Sequence, residues 1–219
     1  MFRIKICGIT NVEDALAAAR AGADAVGLNF YPKSPRHIDL DTARQIVDRL
    51  PAGITKVGVF VNAAMEEVCR TFDQLGLDLI QIHGDEPPEF LTRLGPRLVM
   101  RAFRLGPAGL EALAEYLAAC RRLQCLPRRT LIDSFVPGDY GGTGKVPDWA
   151  VLSVYPAEPW HPPLVLAGGL TPENVAAAIR TVRPAAVDTA SGVEISPGRK
   201  DHARIAAFVA AARRAFEAR

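Results

Sequence analysis

Apolar residues recur along the chain in short runs rich in branched side chains, and these runs alternate with longer segments of helical periodicity. The final segment shows the helical period clearly, with Ile205, Phe208, Val209, Ala212 and Phe216 on one face. Short branched runs are typical of buried strands. The pattern therefore predicts alternating strands and helices. The eight predicted strands span residues 3–7, 24–29, 54–60, 78–82, 97–103, 129–133, 163–167 and 185–188.

The number of strand and helix units indicates the architecture. Eight units within 219 residues predict an α/β protein with a single (β/α)8 TIM barrel, spanning residues 1–219 as one domain. An open, doubly wound sheet gives the same alternation, but the strand count favours closure. In a closed barrel the carboxyl ends of all the strands meet on one functional rim.

Polar residues predict where several helices begin. Thr10 with Glu13 has the form of a capping box, Asp39 precedes a helical segment, and Thr171 is followed by a proline at the first helical position. Residues 149–154 predict a short helix between the sixth and seventh strands.

The composition narrows the class of ligand. The chain has 26 basic and 24 acidic side chains, interspersed, which argues against a nucleic-acid or membrane-binding surface. No apolar run approaches membrane-spanning length and the amino terminus leads directly into a strand pattern, so we expect a cytoplasmic protein that binds a small molecule. The four cysteines have irregular spacings without a CxxC pattern, which predicts neither a disulfide nor a metal.

Cys7 ends the first predicted strand. Alternation places Arg3, Lys5 and Cys7 on the face toward the barrel interior and Ile4 and Ile6 on the face toward the helices. Lys5 would lie roughly 7 Å from Cys7, where its charge favours the thiolate. A buried packing cysteine is the common alternative, but the rim position favours a reactive thiol. The other three cysteines fit structural positions.

Asp133 ends the sixth predicted strand and is the candidate general acid. A carboxyl group partly shielded from water there can hold a raised pKa and donate a proton near neutral pH, although a turn-capping aspartate fits the position equally well. The glycine-rich segment 138–145 follows directly and favours the functional interpretation, because its backbone NH groups suit a phosphate.

Two further loops point to a phosphorylated ligand. Gly168 and Gly169 follow the seventh strand, Ser191 and Gly192 follow the eighth, and Asp188 ends the eighth strand on the same rim. Loops at these two places commonly form the phosphate site of (β/α)8 barrels. A glycine cluster alone also fits a flexible loop, so the inference depends on all three segments together.

Three more side chains are predicted to reach the rim. Arg36, after the second strand, can bind an anion such as a carboxylate, with a solvated surface arginine as the ordinary alternative. Gln81 and His83 alternate with isoleucines along the fourth strand, so both are expected to point inward. His83 can orient a substrate or serve as a structural histidine.

Five segments span nearly the whole chain in a characteristic order. They are KICGIT at 5–10, SPR at 34–36, QIHG at 81–84, Asp133 with GGTG at 141–144, and AGGL at 167–170 with SGVE at 191–194. In this combination the chain resembles phosphoribosylanthranilate isomerase of tryptophan biosynthesis. The resemblance implies a (β/α)8 enzyme that needs no cofactor and converts N-(5-phosphoribosyl)anthranilate to 1-(2-carboxyphenylamino)-1-deoxyribulose 5-phosphate.

The resemblance also implies roles for the matching residues. Asp133 would protonate the furanose ring oxygen, and Cys7, as thiolate, would remove the C2 proton of the opened sugar. Arg36 would hold the anthranilate carboxylate. The phosphate would be held by Gly142, Thr143, Gly169, Ser191 and Gly192, and the expected substrate-binding set is completed by Gly144, Gly168, Gln81, His83 and Asp188. Ala190 stands where the family commonly has a serine, which removes one possible hydroxyl donor.

Two alternatives remain open. The sugar isomerase of histidine biosynthesis performs the same rearrangement on another phosphoribosyl substrate, typically with aspartates as acid and base, and Cys7 argues against it. A phospholigand sensor that keeps the barrel without turnover is the second, and Cys7 together with Asp133 argues against it. The sequence does not distinguish a monomer from a homodimer.

Overall fold

Eight parallel strands form a closed barrel in the computed structural model of the chain, which describes residues 2–105, 109–134, 149–155 and 158–219. The strands pair in chain order, and β1 closes the ring against β8. Their bounds are β1 Ile4–Cys7, β2 Ala25–Asn29, β3 Thr55–Phe60, β4 Leu79–Ile82, β5 Val99–Leu105, β6 Arg129–Ser134, β7 Leu164–Leu166 and β8 Ala186–Thr189. The predicted (β/α)8 barrel is confirmed, with strand ends that shift by no more than two residues.

Helices cover the outside of the barrel. Within the described residues they are α1 Val12–Ala21, α2 Leu40–Arg49, α3 Met65–Leu75, α4 Pro88–Thr92, α5 Glu111–Arg122, α6 Trp149–Leu152, α7 Val175–Val182 and α8 His202–Glu217. A 3-10 turn at Ser191–Val193 and the antiparallel pair β9 Glu194–Ser196 and β10 Arg199–Lys200 lie between β8 and α8. The predicted short helix is present as α6. None of the helices in the described ranges has both the length and the apolar character needed to cross a membrane.

Apolar side chains fill two layers. The larger layer lies between the strands and the helices, where all five predicted apolar positions of α8 are buried. Burying one large aliphatic or aromatic side chain contributes roughly 1.5–3 kcal/mol, so this layer is the main source of stability. The second layer fills the barrel interior and consists of Phe2, Ala25, Val57, Leu79, Met100, Ala102, Leu131, Val165, Ala167 and Ala186.

The barrel interior becomes polar toward the carboxyl ends of the strands. Lys5, Gln81, Asp133 and Asp188 are all buried there. Burying charged groups is costly unless they are paired or hydrogen-bonded. Their concentration at the carboxyl end of the interior identifies that end as the candidate site.

Two of the three predicted helix starts are misplaced. Asp39 caps α2 as predicted. Asn11, not Thr10, caps α1, because the Thr10 hydroxyl instead donates to a distant backbone carbonyl. The predicted cap at Thr171 is also wrong, since the Thr171 amide donates to the Asn174 side chain at 2.8 Å and the intervening residues form a turn before α7 begins.

Candidate active site

The strand ends bring the predicted base and acid to one rim of the barrel. Cys7 is the last residue of β1, and Asp133 is the penultimate residue of β6. His83 follows β4 directly, and Asp188 lies in β8. Because all eight strands are parallel, these four residues share the carboxyl face although they are far apart in sequence.

Lys5 and Asp188 form a buried ion pair between β1 and β8. The two residues are opposite each other in the strand register, and Lys5 Nζ lies 2.8 Å from Asp188 Oδ1. Burial alone lowers the pKa of Lys5, but Asp188 and Cys7 more than offset burial, so that the pKa of Lys5 is raised. Lys5 is therefore an ammonium group at neutral pH. Asp188, predicted to contact substrate, has one carboxylate oxygen committed to this pair.

Burial dominates the protonation of Cys7. It raises the pKa of the thiol, Lys5 and Lys200 oppose the increase, and Asp188 adds to it. Lys5 lowers the pKa of Cys7 as predicted, but burial raises it more, so the net shift is upward. Cys7 is mainly a thiol at neutral pH, and its thiolate, once formed, is a correspondingly strong base.

A glycine in the neighbouring strand makes room for this thiol. Gly27 pairs with Cys7 in the register of β1 and β2, and a β-carbon on Gly27 would lie 2.7 Å from Cys7 Sγ and 3.1 Å from Lys5 Cε. Any larger residue would have to displace the thiol or the lysine. Gly27 was not among the site residues predicted from the sequence, although a glycine inside a strand often marks a close approach.

Gln81 and His83 lie side by side next to Asp133. Gln81 Nε2 is 3.0 Å from His83 Nδ1, and His83 Nε2 is 3.7 Å from Asp133 Oδ2, which is too long for a hydrogen bond. Burial, followed by the charges of Arg101 and Lys5, lowers the pKa of His83 to about 3, so the imidazole is neutral at physiological pH. With Nδ1 accepting from Gln81, the ring proton resides on Nε2.

Both of these side chains have unused hydrogen-bonding capacity. Gln81 Oε1 and His83 Nε2 are buried and have no hydrogen-bond partner among the residues that the structure describes. One is an acceptor and the other, in the tautomer above, is a donor. Buried polar atoms are normally hydrogen-bonded. The pair is therefore suited to bind a polar molecule inside the rim.

Arg36 lies in a buried cluster of charges. Its Nε and Nη2 donate to Glu194 Oε1 and Oε2 at 2.8 and 2.7 Å, and Lys200 Nζ donates to the same carboxylate at 2.8 Å. Such a bidentate pair fixes the plane of the guanidinium as well as its position. The third nitrogen, Nη1, makes no hydrogen bond with a described residue.

The charge of Arg36 acts on both predicted catalytic groups. Burial alone lowers the pKa of Arg36, whereas Glu194, Cys7 and Asp133 raise it, and the net shift is upward. The Arg36 side chain also lies directly against Gly8, the residue that follows Cys7. An anion bound to Arg36 would therefore be close to the thiol and the carboxyl group.

The loops after β7 and β8 meet beside the predicted acid. One pocket is lined by Asp133 and Asp188 together with Gly168, Gly169 and Ser191. Five predicted site residues thus surround a single space. A carboxyl acid, a thiol base and backbone NH groups on one rim can perform proton transfer on a bound anion.

Gly192 sets the distance between these two loops. A β-carbon on Gly192 would overlap the carbonyl oxygen of Leu170, which accepts a hydrogen bond from Thr189 Oγ1 at 2.7 Å. Only a glycine permits this approach. The predicted residues Gly142, Thr143 and Gly144 lie outside the described residues.

Two charged residues of the site were not assigned a role from the sequence. Glu194 closes the SGVE motif, and Lys200 precedes the cap of α8. Lys200 is only 2 % exposed. Nothing in its sequence context, between an arginine and an aspartate, distinguishes it from an ordinary surface lysine.

Among the residues that the structure describes, no group of three or more His, Cys, Asp and Glu side chains could hold a metal ion. All four cysteines are free thiols.

The sequence matches one protein family over most of its length. Residues 4–211 match the family described as N-(5'phosphoribosyl)anthranilate (PRA) isomerase. The N-(5'-phosphoribosyl)anthranilate isomerase of Geobacter sp. (strain M21) is 46% identical over 215 residues, covering 98% of this chain and 99% of the relative. That of Acidithiobacillus ferrooxidans is 49% identical over 213 residues, covering 97% of this chain and 98% of the relative.

Solved structures agree with this relationship. The crystal structure of phosphoribosyl anthranilate isomerase from Thermotoga maritima superposes with a TM-score of 0.84 at 40% identity, covering 97% of this chain and 99% of that chain. A second crystal structure, of phosphoribosyl anthranilate isomerase in complex with reduced 1-(o-carboxyphenylamino)-1-deoxyribulose 5-phosphate, superposes with a TM-score of 0.81 at 40% identity and the same coverage.

Proposed function

Since the chain belongs to the N-(5'-phosphoribosyl)anthranilate isomerase family, we propose that Cys7 and Asp133 are the base and the acid of its reaction. The protein is an isomerase of tryptophan biosynthesis that converts N-(5-phosphoribosyl)anthranilate to 1-(2-carboxyphenylamino)-1-deoxyribulose 5-phosphate, an Amadori rearrangement. The two alternatives that the sequence left open, the histidine-pathway isomerase and a sensor without turnover, are not favoured by these relationships.

One observation carries the residue assignment. The thiol of Cys7 ends β1, and the carboxyl group of Asp133 lies one residue before the end of β6 in the same closed barrel. The loops after β7 and β8 form a pocket beside that carboxyl group on the same rim. An acid and a base can act on one substrate only when both are held close to it. This arrangement supports Asp133 and Cys7 as that pair.

Asp133 acts first, as general acid. Its proton goes to the ring oxygen of the furanose, the bond between that oxygen and C1 breaks, and the anthranilate nitrogen forms a Schiff base with C1. The step leaves Asp133 as a carboxylate. His83 faces it with Nε2 at 3.7 Å, so a small approach on substrate binding would supply a hydrogen-bond donor to the new charge.

Cys7 acts second, as general base. The thiolate removes the proton on C2, and the electrons of that bond move toward the protonated nitrogen to give an enolamine, which tautomerises to the aminoketose. Lys5 stabilises the thiolate, and the raised pKa of Cys7 makes it a stronger base for a carbon acid. The substrate supplies the electron-withdrawing iminium, so the reaction proceeds without a cofactor.

Two anchors hold the sugar between the acid and the base. Arg36 binds the anthranilate carboxylate through Nη1, the nitrogen that its pair with Glu194 leaves available. Gln81 and His83 bind the sugar hydroxyls through their unused atoms. The phosphate is bound by the loops that contain Gly142, Thr143, Gly144, Gly168, Gly169, Ser191 and Gly192. Asp188 contributes indirectly, because it holds the ammonium group of Lys5.

We place the protein in the cytoplasm. Free thiols persist in a reducing compartment, which supports the cytoplasm as the place of action. Every residue assigned above comes from one barrel, so a monomer and a homodimer are equally competent. Light scattering coupled to size exclusion distinguishes these two states.

The direct test is the fluorescence of N-(5-phosphoribosyl)anthranilate, generated in situ from anthranilate. We expect it to decay rapidly when the purified protein is added and to decay at the spontaneous rate without it. A decay no faster than the spontaneous rate, at enzyme concentrations up to that of the substrate, would overturn the assignment. The histidine-pathway substrate would then be tested in the same way.

A further inference from the structure

Lys200 joins three segments of the chain around the candidate base. Its Nζ donates to the carbonyl of Cys7 at 2.6 Å, to the carbonyl of Ala190 at 3.1 Å and to Glu194 Oε1 at 2.8 Å. An ammonium group has three donors, and all three are used. Lys200 is therefore a fixed point between the end of β1, the end of β8 and β9.

Glu194 extends this connection to Arg36. Both carboxylate oxygens accept from the Arg36 guanidinium, and one of them also accepts from Lys200. Burial raises the pKa of Glu194, but Arg36 and Lys200 outweigh burial and the pKa is lowered. Glu194 is thus a carboxylate across the working pH range. Burial lowers the pKa of Lys200 and Arg36 adds to the decrease, whereas Glu194 and Cys7 oppose it, and the three acceptors around Nζ favour the ammonium form.

We propose that Lys200 and Glu194 are positioning residues: Lys200 fixes the backbone that carries Cys7, and Glu194 fixes the guanidinium plane of Arg36. The cluster thereby sets the distance between the base and the group that anchors the substrate carboxylate. This inference rests on the proposed function, because it concerns the roles given there to Cys7 and Arg36. Displacing a reacting group by about 1 Å can cost about 10²-fold in rate.

A lysine that stabilised the fold without acting on the thiol would leave the titration of Cys7 unchanged, so this titration separates such a role from the one proposed for Lys200. The charged groups that act on the thiol are Lys5 from β1, Asp188 from β8, Arg36 from the loop after β2 and Lys200 from β10. The Lys200 cation lowers the pKa of Cys7. Removing that cation therefore raises the pKa of Cys7 further, even where the fold is intact.

The experiment compares Lys200→Met with the matched control Lys56→Met. Lys56 also forms an ion pair, with Asp78, but at the start of β3, away from the rim. Alkylation of Cys7 by iodoacetamide is followed against pH by mass spectrometry of the peptide that contains it. We expect a higher alkylation midpoint and about 10²-fold lower kcat in Lys200→Met, with the control unchanged. A midpoint and a kcat equal to those of the control would overturn the proposal for Lys200.

Glu194→Gln tests whether Glu194 fixes the guanidinium of Arg36. This variant also tests the cluster if Lys200→Met does not fold. The amide keeps the side-chain volume but offers the guanidinium a single neutral acceptor. We expect KM to rise about tenfold, the cost of one charged hydrogen bond, with a smaller effect on kcat. An unchanged KM in a folded variant would show that Glu194 does not position Arg36.

Failure of this inference is distinguishable from failure of the proposed function. Alkylation requires no substrate, so it reports on Lys200 and Cys7 even if the wild-type protein does not isomerise N-(5-phosphoribosyl)anthranilate. If the wild type is active and both variants behave like the control, only the positioning roles proposed for Lys200 and Glu194 are wrong.

Discussion

Gly27 and Cys7 face each other across β2 and β1, and the volume that the glycine leaves is the volume that the thiol occupies. The placement of the base thus depends on a residue with no chemistry of its own. Lys5 uses the same space, so a single larger residue would disturb both the thiol and its cation.

Gly27→Ala should therefore impair catalysis more than stability. Overpacking of this kind costs about 1–3 kcal/mol, whereas displacement of the thiol should lower kcat about 10²-fold. Gly58→Ala is the matched control, because a β-carbon there would lie 2.6 Å from Leu77 Cδ1, away from the thiol. Urea unfolding and steady-state kinetics of both variants check the prediction, which is wrong if the two lose kcat equally.

Cys7→Ser should lose turnover by about 10²–10⁴-fold and still bind product, because an alcohol is a far poorer base than a thiol at neutral pH. Isothermal titration with product and the fluorescence assay measure the two properties separately. Cys69→Ser, in α3, is the control and should keep full activity. Near-normal turnover by Cys7→Ser would remove Cys7 from the base role.

The pH profile should reflect the raised pKa of Cys7. The thiolate is the reactive form, and burial holds the pKa of Cys7 above the usual thiol range, so the rate of alkylation of Cys7 by iodoacetamide should still increase with pH above neutrality. The slope should be one in a logarithmic plot. A profile already flat at neutral pH would mean that the thiolate is stabilised in a way that the buried Lys5–Asp188 pair does not explain.

Asp133→Asn should fold normally and lose about 10²–10⁴-fold in kcat, because the amide has no proton to give to the ring oxygen. Circular dichroism and the fluorescence assay test the two parts. Asp39→Asn is a suitable control, since asparagine caps a helix as well as aspartate does. An unchanged kcat would exclude Asp133 as the acid.

His83 should make the protein sensitive to mild acid. Its pKa is lowered from 6.5 to about 3, so between these pH values the unfolded chain binds a proton that the folded protein does not. Stability is therefore retained above pH 6.5 and falls as the pH decreases toward 3, by on the order of 5 kcal/mol at most. His83→Gln should flatten this dependence in urea unfolding from pH 7 to 4.5, whereas His37→Gln, at an exposed site, should not. Identical pH slopes for the two variants would contradict the shift.

The strands could be predicted because each carries a short run of branched residues, and the barrel because eight such runs alternate with helices. Position at a strand end was then enough to place Cys7, Asp133 and His83 on one rim. That residues 1–219 form one domain stays a prediction, which a single cooperative unfolding transition would support.

The remaining features depend on contacts that no local pattern encodes. The pair between Arg36 and Glu194 spans 158 positions and exists because the loops after β2 and β8 meet once the barrel closes. The helix cap predicted at Thr10 is wrong for a similar reason, because the Thr10 hydroxyl bonds to a carbonyl 188 positions away instead of to its own helix. Local propensity could not anticipate either partner.

The bond between Lys200 and the carbonyl of Cys7 joins positions 193 residues apart. During synthesis the first strand leaves the ribosome long before the residue that completes its surroundings has been translated. A nascent chain that stops short of β10 contains Cys7 but lacks the lysine that fixes its backbone. Full catalytic competence therefore requires the final tenth of the polypeptide. The order of translation thereby delays activity until the whole barrel has been made.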